Sequence, residues 1–334
     1  MFEANPMKSR LLGNTGVEVS EVGFGAWQIG ADWGTEIPKD LAISSLHAAV
    51  DEGINFIDTA DVYGAGRSET IIGEFLKERN ETIYVATKMG RGSSEWTDSY
   101  DQIAKATEDS CKRLGVPALD LMQLHCIPEQ TLMAGKAFEN LEKIKDVGLI
   151  KNYGASVETI EEALFCIRSS SASTLQVIFN IFRQRVISDL LQAASRNRIG
   201  IIARVPLASG LLSGKFTKDH HFAENDHRKF NCDGQMFNVG ETFGGVPFES
   251  GVDFAIEVKR ILEEQLPNAS LAQKSLRWIL DHEEVTTVIP GAKDPEQTRQ
   301  NAAVSAFNSL SIESHEKLSD LYKEKIDKQV RGRY

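Results

Sequence analysis

Residues 54–88 read INFIDTADVYGAGRSETIIGEFLKERNETIYVATK, and this stretch decides the fold. The runs at 54–57 and 82–87 are short, apolar and rich in β-branched and aromatic residues, as buried strands are. Residues 68–77 between them have the amphipathic pattern of a helix. The stretch therefore predicts a strand–helix–strand unit whose two strands lie parallel in one sheet.

The same unit recurs along the chain, with strand starts about every 30 residues through the first seven strands. Strands are predicted at 22–26, 54–57, 82–87, 119–124, 150–155, 175–180, 199–205 and 285–289. Helices are predicted at 40–52, 68–77, 100–114, 132–147, 160–167, 188–195, 271–280, 295–306 and 312–329. Parallel strands joined by helices form either an open doubly wound sheet or a closed barrel, and eight units favour the barrel.

We predict one α/β domain over residues 1–334, an eight-stranded parallel (β/α)8 TIM barrel with extra C-terminal helices. Alternating residues around the turn at 13–16 predict a hairpin at 11–20 that caps the N-terminal end of the barrel. Residues 216–251 are rich in glycine, phenylalanine and charge, without a clear period. A loop of that length is usually functional or disordered, and its phenylalanines favour a lid.

The composition is typical of a soluble globular protein, with 334 residues, 41% hydrophobic, 25% charged and a formal net charge of −11. This acidic balance, without a block of lysines or arginines, argues against nucleic-acid binding. No apolar run approaches the roughly 18 residues of a membrane span, and residues 1–10 lack the apolar core of a signal peptide. The four cysteines lie far apart, as buried thiols in a reducing compartment do, so we expect a cytoplasmic protein.

Four polar residues lie at or just beyond the carboxyl ends of predicted strands, where α/β barrels carry their chemistry. Asp58, Lys88 and His125 follow the second, third and fourth strands, and Tyr63 lies on the loop after Asp58. Neighbouring strands lie about 4.8 Å apart, so we expect Asp58 and Lys88 to pair. Taken singly, each residue has an ordinary structural explanation as an ion pair, a packed histidine or a rim tyrosine. Together at one mouth, they favour a catalytic site.

This set suits the protonation of an oxygen while another group attacks the neighbouring carbon. The ammonium of Lys88 stabilises the phenolate of Tyr63 and is expected to lower its pKa from about 10 toward neutral, while Asp58 keeps Lys88 charged. Tyr63 would then donate a proton, and His125 would orient a carbonyl oxygen. The sequence offers neither a nucleophilic Ser or Cys with a base nor a cluster with metal-ligand spacing, so no metal site is predicted.

In this order, the four residues resemble those of the aldo-keto reductases. The resemblance rests on motifs spread over nearly the whole chain, at 11–16, 23–25, 58–64, 87–88, 124–125, 154–156, 206–215 and 289–291. The block DTADVYG at 58–64, followed by the later lysine and histidine, is highly specific for that family. It implies an NAD(P)H-dependent enzyme, without a Rossmann domain, that reduces an aldehyde or ketone. It also implies that Tyr63 is the general acid, assisted by Asp58, Lys88 and His125.

The resemblance also implies where the cofactor binds. Ser156 and Gln176 would contact the carboxamide of the nicotinamide, and the backbone amides of residues 207–211 would hold the pyrophosphate. The sequence Asp-Pro-Glu at 294–296 independently predicts a helix start, whose amides and dipole favour a phosphate. The predicted cofactor-binding residues are Trp27, Ser156, Gln176, Arg204, Leu207, Ser209, Gly210, Leu211, Gly291, Lys293, Gln297, Gln300 and Asn301.

Three positions depart from the family pattern. Val157 stands where many members have asparagine, and Arg204 stands where many stack an aromatic ring on the cofactor, although a guanidinium can stack too. Gln297 stands where an arginine often grips the 2′-phosphate, which leaves Lys293 and Arg299 as the nearby cations. Because a lysine at a helix start is a good phosphate partner, we expect NADPH in preference to NADH.

The expected partner is a small carbonyl compound, and the sequence leaves its identity and the oligomeric state open. Two roles are open for the aromatic residues and the long segment expected at the barrel mouth: they select the substrate, or they only pack there. They are Trp27, Trp33, Trp96 and residues 216–251. Two other functions are alternatives. A Schiff-base aldolase would use Lys88 as an amine nucleophile. A cofactor-sensing regulatory subunit, like the channel-associated β subunits that the family includes, would turn over slowly.

Overall fold

The computed structural model describes residues 7–30, 36–92 and 97–334. Two short antiparallel strands come first, β1 (Ser9–Leu11) and β2 (Glu18–Ser20). The eight parallel strands follow as β3 (Phe24–Gly25), β4 (Phe56–Asp58), β5 (Tyr84–Met89), β6 (Leu121–His125), β7 (Tyr153–Ser156), β8 (Thr174–Ile178), β9 (Gly200–Arg204) and β10 (Val285–Val288). All eight predicted strands are confirmed, with ends that shift by up to three residues.

The sheet closes into a barrel because its first and last strands also meet. Each strand from β3 to β10 pairs with the next one in sequence. Parallel bridges then join Val22 to Val288 and Gly25 to Gly291. At Gly25 a side chain would not fit, since a β-carbon there would lie 2.6 Å from the carbonyl oxygen of Ile289. The predicted (β/α)8 barrel is confirmed.

The N-terminal hairpin packs against the strands of the barrel, as predicted. Its residues Leu12 and Val19 are buried in one apolar cluster with Phe56, Leu121 and Ile202, which come from β4, β6 and β9. This cluster is separate from the main apolar core, to which the helices contribute. The hairpin therefore seals the N-terminal end, and the mouth formed by the carboxyl ends of the strands is left for chemistry.

Helices connect most of the parallel strands. Their bounds are α1 (Trp27–Gly30), α2 (Lys39–Asp51), α3 (Arg67–Leu76), α4 (Tyr100–Leu114), α5 (Glu129–Ala134), α6 (Lys136–Asp146), α7 (Ile160–Ser169), α8 (Gln192–Arg196), α9 (His227–Phe230), α10 (Phe248–Ile261), α11 (Leu271–Leu280), α12 (Pro295–Ala302) and α13 (Ile312–Leu321). The predicted helix at 132–147 is two helices, because Gly135 takes a left-handed conformation with φ of 77° between α5 and α6. Among the described residues, no helix is long and apolar enough to cross a membrane.

The predicted irregular segment at 216–251 ends earlier than expected, because its last residues start a helix. Helix α10 begins at Phe248, directly after Pro247, and its buried residues Val252, Ala255 and Val258 recur at every third position. The irregular part is residues 216–247, which we name the long loop, and it contains α9 and two 3₁₀ turns. Packed phenylalanine rings, with centroids 5.1 to 6.0 Å apart, hold its two ends together: Phe216, Phe222, Phe243 and Phe248.

Candidate active site

The carboxyl ends of β4, β5 and β6 bring Asp58, Lys88 and His125 to one mouth of the barrel, and the loop after β4 adds Tyr63. The Nζ atom of Lys88 lies 2.7 Å from Oδ2 of Asp58 and donates to the hydroxyl oxygen of Tyr63 at 3.1 Å. It also donates to the carbonyl oxygen of Thr59 at 2.6 Å. Asp58 and Lys88 are almost fully buried, so the predicted pair is present and shielded from water.

Two glutamines on neighbouring strands fix the other carboxylate oxygen of Asp58. The Nε2 atom of Gln176 donates to Oδ1 of Asp58 at 2.7 Å, and Nε2 of Gln123 approaches the same oxygen at 3.3 Å. The side-chain nitrogen of Gln176, which was expected to contact the nicotinamide, is therefore hydrogen-bonded to Asp58 in this structure. Gln123 was not predicted, although a buried polar residue inside the apolar strand β6 is a signal that could have found it.

The pKa values at Tyr63 and Lys88 are set by burial and by the neighbouring charges. Burial raises the pKa of the Tyr63 phenol above its ordinary value, and the ammonium of Lys88 opposes this rise without cancelling it. Burial would lower the pKa of Lys88, but the charge of Asp58 holds it above its ordinary value. The expectation that the pKa of Tyr63 moves toward neutral is therefore wrong for this structure, because the sequence shows the cation but not the burial. At neutral pH, Tyr63 is a protonated phenol and Lys88 is an ammonium.

His125 is a neutral imidazole in this site. Burial lowers its pKa well below the ordinary value, and the charges of Arg91, Lys88 and Arg204 lower it further. Its ring meets the ring of Tyr63 edge-on, with 5.9 Å between the centroids. Its Nε2 atom lies 3.4 Å from Nη1 of Arg91, and its buried Nδ1 has no hydrogen-bond partner among the described residues. A neutral imidazole donates one N–H, which suits the orientation of an oxygen acceptor.

Three charged side chains, which we name the Arg–Glu–Arg bridge, cross the same mouth: Arg91, Glu241 and Arg204. Oε1 of Glu241 lies 2.9 Å from Nη1 of Arg91 and 3.1 Å from Nη1 of Arg204. Burial would raise the pKa of Glu241, but the two arginines lower it to about 2, so the carboxylate stays ionised. Only Arg204 was predicted. Arg91 could have been found from its position just beyond Lys88, whereas Glu241 comes from the long loop, which carries no periodic signal.

One group of metal-ligating atom types lies beside the bridge. Single ligand atoms of Cys126, Glu158 and Glu241 lie within 4.8 Å of one another. The two arginines of the bridge already neutralise Glu241, and burial raises the pKa of the Cys126 thiol. Since metals bind the deprotonated forms of these groups, we assign the group to the ion-pair network.

The turn predicted to hold a pyrophosphate follows β9. Residues Ala208–Ser213 form this turn, and Ser209 and Gly210 within it have φ values of 54° and 97°. The hydroxyl of Ser209 donates to the carbonyl oxygen of Glu241 at 3.0 Å and accepts from the amide of Phe243 at 3.1 Å. The turn is thus fastened to the long loop, next to the Arg–Glu–Arg bridge.

The residues predicted at the adenosine end lie around the start of α12. Asp294 caps the helix by accepting from the amide of Gln297 at 2.7 Å, with a proline in the first helical position, as predicted. The side-chain oxygen of Gln297 accepts from the amide of Lys293 at 3.1 Å, and Asn301 donates to the carbonyl oxygen of Gly291 at 3.3 Å. These contacts give the loop before α12 a defined shape.

Of the two cations expected for a 2′-phosphate, Lys293 is the better placed. Its side chain is exposed on the loop directly before α12. Arg299 instead lies 3.9 Å from Glu52 and 4.0 Å from Glu296, and Gln300 donates to Glu296 at 3.0 Å. A phosphate would have to compete with these carboxylates to bind Arg299, whereas it could bind the exposed Lys293 directly.

The residues present fit a nicotinamide cofactor. Ser156 ends β7 and Arg204 ends β9, so both lie at the mouth that carries Tyr63. Nε of Arg204 is a buried donor without a hydrogen-bond partner among the described residues, as expected of a group that meets a ligand. Trp27 packs edge-on against His227 of the long loop, with 4.6 Å between ring centroids. The other two predicted tryptophans, Trp33 and Trp96, lie outside the described residues.

The barrel and the polar residues at its mouth are those of an NAD(P)H-dependent oxidoreductase. The sequence profile of the Aldo/keto reductase family matches residues 21–323, and the chain belongs to this family.

Similar proteins match along nearly the whole chain. An uncharacterized oxidoreductase of Bacillus subtilis is 29% identical over 331 residues, which cover 95% of this chain and 99% of the relative. An aldo-keto reductase of the same organism is 27% identical over 334 residues, which cover 97% and 96%. Among solved structures, a glycerol dehydrogenase from Gluconobacter oxydans superposes with a TM-score of 0.78 at 29% identity, covering 95% of this chain and 96% of that one.

Proposed function

We propose that this protein reduces an aldehyde or ketone to an alcohol with NADPH, and that Tyr63 is the general acid. The observation that carries the proposal is the 3.1 Å hydrogen bond from Nζ of Lys88 to the hydroxyl of Tyr63, made by a lysine that also pairs with the buried Asp58 at 2.7 Å. This arrangement orients the phenol. It also keeps a positive charge beside the oxygen that becomes negative when the proton leaves.

Each of the four residues has a distinct task in protonating the carbonyl oxygen, two of them directly and two through Tyr63. When bound, a reduced nicotinamide would supply the hydride that the carbonyl carbon accepts. Tyr63 donates its proton to the carbonyl oxygen as negative charge develops there, and the N–H of the neutral His125 orients that oxygen. Lys88 stabilises the phenolate that remains on Tyr63, and Asp58 keeps Lys88 charged and in position. Ser156, Arg204 and the side-chain oxygen of Gln176 would hold the nicotinamide, residues 207–211 the pyrophosphate and Lys293 the ribose phosphate.

The contacts of Lys88 disfavour the Schiff-base aldolase. Formation of an imine needs a neutral lysine amine. Although burial favours the neutral form, the charge of Asp58 holds the pKa of Lys88 above its ordinary value. Removing the proton would also leave the buried Asp58 carboxylate without its cation. Lys88 therefore acts through its charge and not as a nucleophile.

The pH dependence of reduction tests this function. Because the pKa of Tyr63 is raised above about 10, the phenol stays protonated through neutral and mildly alkaline pH. We expect kcat/KM for aldehyde reduction, measured as NADPH consumption with short-chain, aromatic and sugar aldehydes, to be flat across this range. It should fall only as the pH passes the raised pKa. Oxidation of the product alcohol needs the phenolate of Tyr63, so the rate of this reverse reaction should rise with pH. A fall in reduction centred near pH ~7 would contradict Tyr63 as the acid.

NADPH is the proposed cofactor, although relatives differ in their preference. An aldo-keto reductase of Schizosaccharomyces pombe, 28% identical over 323 residues, is named for NADP(+). A methylglyoxal reductase of Escherichia coli, 26% identical over 326 residues, is NADH-specific. The exposed Lys293, before the capped start of α12, supports NADPH for this chain.

Replacing Lys293 by alanine should weaken NADPH binding about tenfold, because a charge-assisted contact to the 2′-phosphate is lost. NADH lacks that phosphate, so its dissociation constant should not change. Both constants can be measured by fluorescence titration. Lys218→Ala is a matched control, since Lys218 is an exposed lysine of the long loop that pairs with Asp253 at 2.7 Å. An equal loss of affinity for both cofactors would show that Lys293 does not read the phosphate.

A regulatory role is the second candidate, and one comparison favours it. A probable voltage-gated potassium channel subunit beta of Oryza sativa is 28% identical over 328 residues, which cover 92% of each chain. Slow turnover on every carbonyl compound together with retention of the cofactor through purification would favour this role. Rapid multiple turnover with an aldehyde would favour the reductase.

A further inference from the structure

A buried arginine in contact with the long loop has no carboxylate partner among the described residues. Arg183 follows β8 and is 1% exposed. Its guanidinium donates instead to two backbone carbonyl oxygens, that of Gly244 at 3.4 Å and that of Arg333 at 3.1 Å. Burial lowers the pKa of Arg183 to about 10, so it remains a cation at neutral pH. Because a buried cation costs free energy unless polar groups surround it, the segments that supply these carbonyl oxygens have to stay in place.

The long loop wraps around this guanidinium on both sides of Glu241. Gly240 precedes Glu241, and a β-carbon there would collide with Nη1 of Arg183. On the other side, a β-carbon on Gly245 would lie 3.3 Å from the same atom, and Gly244 supplies its carbonyl oxygen. Glycine at these positions therefore allows the backbone of the long loop to approach the guanidinium closely.

Residues 331–334, which we name the clasp, contact the same guanidinium and the same loop. The ring of Tyr334 lies 4.0 Å from Cζ of Arg183, a distance at which the face of the ring attracts the cation. The backbone amide and Nε of Arg331 both donate to the carbonyl oxygen of Gly245, at 3.1 and 3.0 Å. Arg183 and the clasp thus hold the same part of the long loop.

Glu241 links two parts of the proposed cofactor site. Its carboxylate lies 3.1 Å from Nη1 of Arg204, the residue expected at the nicotinamide. Its backbone carbonyl oxygen accepts at 3.0 Å from the hydroxyl of Ser209, which lies in the turn expected to hold the pyrophosphate. A shift of residue 241 would therefore disturb both contacts at once.

We propose that Arg183 is a positioning residue for Glu241, and that Arg183 and the clasp together set the rate at which the nicotinamide cofactor leaves; the cofactor itself rests on the proposed function. Arg183 does not need to touch the cofactor for this role. It holds the backbone on both sides of Glu241, and Glu241 then holds Arg204 and Ser209. Release of a cofactor requires that these contacts open.

The dissociation rate of NADPH tests this role. Protein loaded with NADPH is mixed with excess NADP⁺ in a stopped-flow instrument, and the fluorescence of NADPH is followed. In Arg183→Met the rate should rise about tenfold, because the hydrogen bonds from a charged group to two carbonyl oxygens are lost. Arg183→Lys should restore part of the parent rate, since it keeps the charge and a donor but not the planar fork. Arg196→Met, which removes an exposed arginine that donates to Gln192 on α8, should keep the parent rate.

A double variant shows whether Arg183 acts through Glu241. Glu241→Gln should also speed the release of NADPH, because Arg204 loses its ionic partner. If the two residues act through one contact, the double variant Arg183→Met with Glu241→Gln should release NADPH no faster than Glu241→Gln alone. Effects that multiply would show that Arg183 acts by another route, and would overturn the inference.

Hydrogen exchange of the cofactor-free protein tests the positioning of the loop directly. The amides of residues 240–245 should exchange faster in Arg183→Met than in the parent protein. They should also exchange faster in Tyr334→Ala, which keeps the guanidinium but removes the ring beside it. Helix α4, which packs against α3 and α6, should exchange at the parent rate in both variants. If Arg183→Met does not fold, Tyr334→Ala decides the question.

The outcomes separate this inference from the proposed function. Unchanged exchange at residues 240–245 and unchanged release of NADPH, in folded variants of a protein that binds NADPH, overturn the inference alone. Wild-type protein that binds neither NADPH nor NADH overturns the proposed function, and this inference with it.

Discussion

Replacing Tyr63 by phenylalanine is expected to lower kcat for carbonyl reduction about 10²–10⁴-fold, the usual contribution of a general acid. The ring keeps its edge-on contact with His125, but the oxygen that accepts from Lys88 is lost together with the proton it delivers. NADPH binding should persist, because the cofactor is assigned to other residues. Single-turnover oxidation of bound NADPH by an aldehyde measures the chemical step, and fluorescence titration measures cofactor affinity.

A second tyrosine of the same strand provides the control. Tyr84 begins β5, at the end opposite Lys88. Tyr84→Phe should therefore reduce aldehydes at the parent rate. If Tyr63→Phe also kept the parent rate while binding NADPH normally, another group would have to be the acid.

Replacing Lys88 by methionine is expected to impair both catalysis and folding. Reduction should fall at least about 10²-fold, because the phenolate of Tyr63 loses its stabilising charge. The free energy of unfolding should fall by about 3–5 kcal/mol, since Asp58 is left as a buried carboxylate without its cation. Urea unfolding followed by tryptophan fluorescence measures the second effect, and steady-state assays measure the first.

The double variant Lys88→Met with Asp58→Asn separates the two roles. Removing the carboxylate charge as well should recover most of the lost stability, because no uncompensated charge remains buried. Activity should stay lost, since the cation beside Tyr63 is still missing. If the Lys88→Met variant were as stable as the parent protein, the buried ion pair between Lys88 and Asp58 could not stabilise the fold as its geometry indicates.

The strands and the four catalytic candidates could be predicted because both depend on local patterns. Asp58, Lys88 and His125 each come directly at the end of a short apolar run, and a barrel brings the carboxyl ends of its strands to one mouth. The start of α12 could be predicted for the same reason, since Asp294 and the proline after it form a local cap signal.

The features that could not be predicted depend on contacts between distant parts of the chain, which no local sequence pattern records. Glu241 reaches Arg91 and Arg204 from the long loop, which is held by packed phenylalanine rings and by the hydroxyl of Ser209. Helix α10 was missed because Phe248 resembles the loop residues before it. The pKa of Tyr63 was predicted in the wrong direction, since the cost of burial depends on everything packed around the phenol.

The bridge between Gly25 and Gly291 joins the first and last strands of the barrel. The barrel therefore cannot close until nearly the whole polypeptide has left the ribosome. Strand β3 pairs with β4 early, but its other edge stays open during synthesis of the intervening strands. Contacts between such distant segments form slowly, and an open strand edge can pair with a neighbouring chain. Rapid overproduction is therefore expected to yield intermolecular aggregates, and chaperones that shield this edge should raise the yield of native protein.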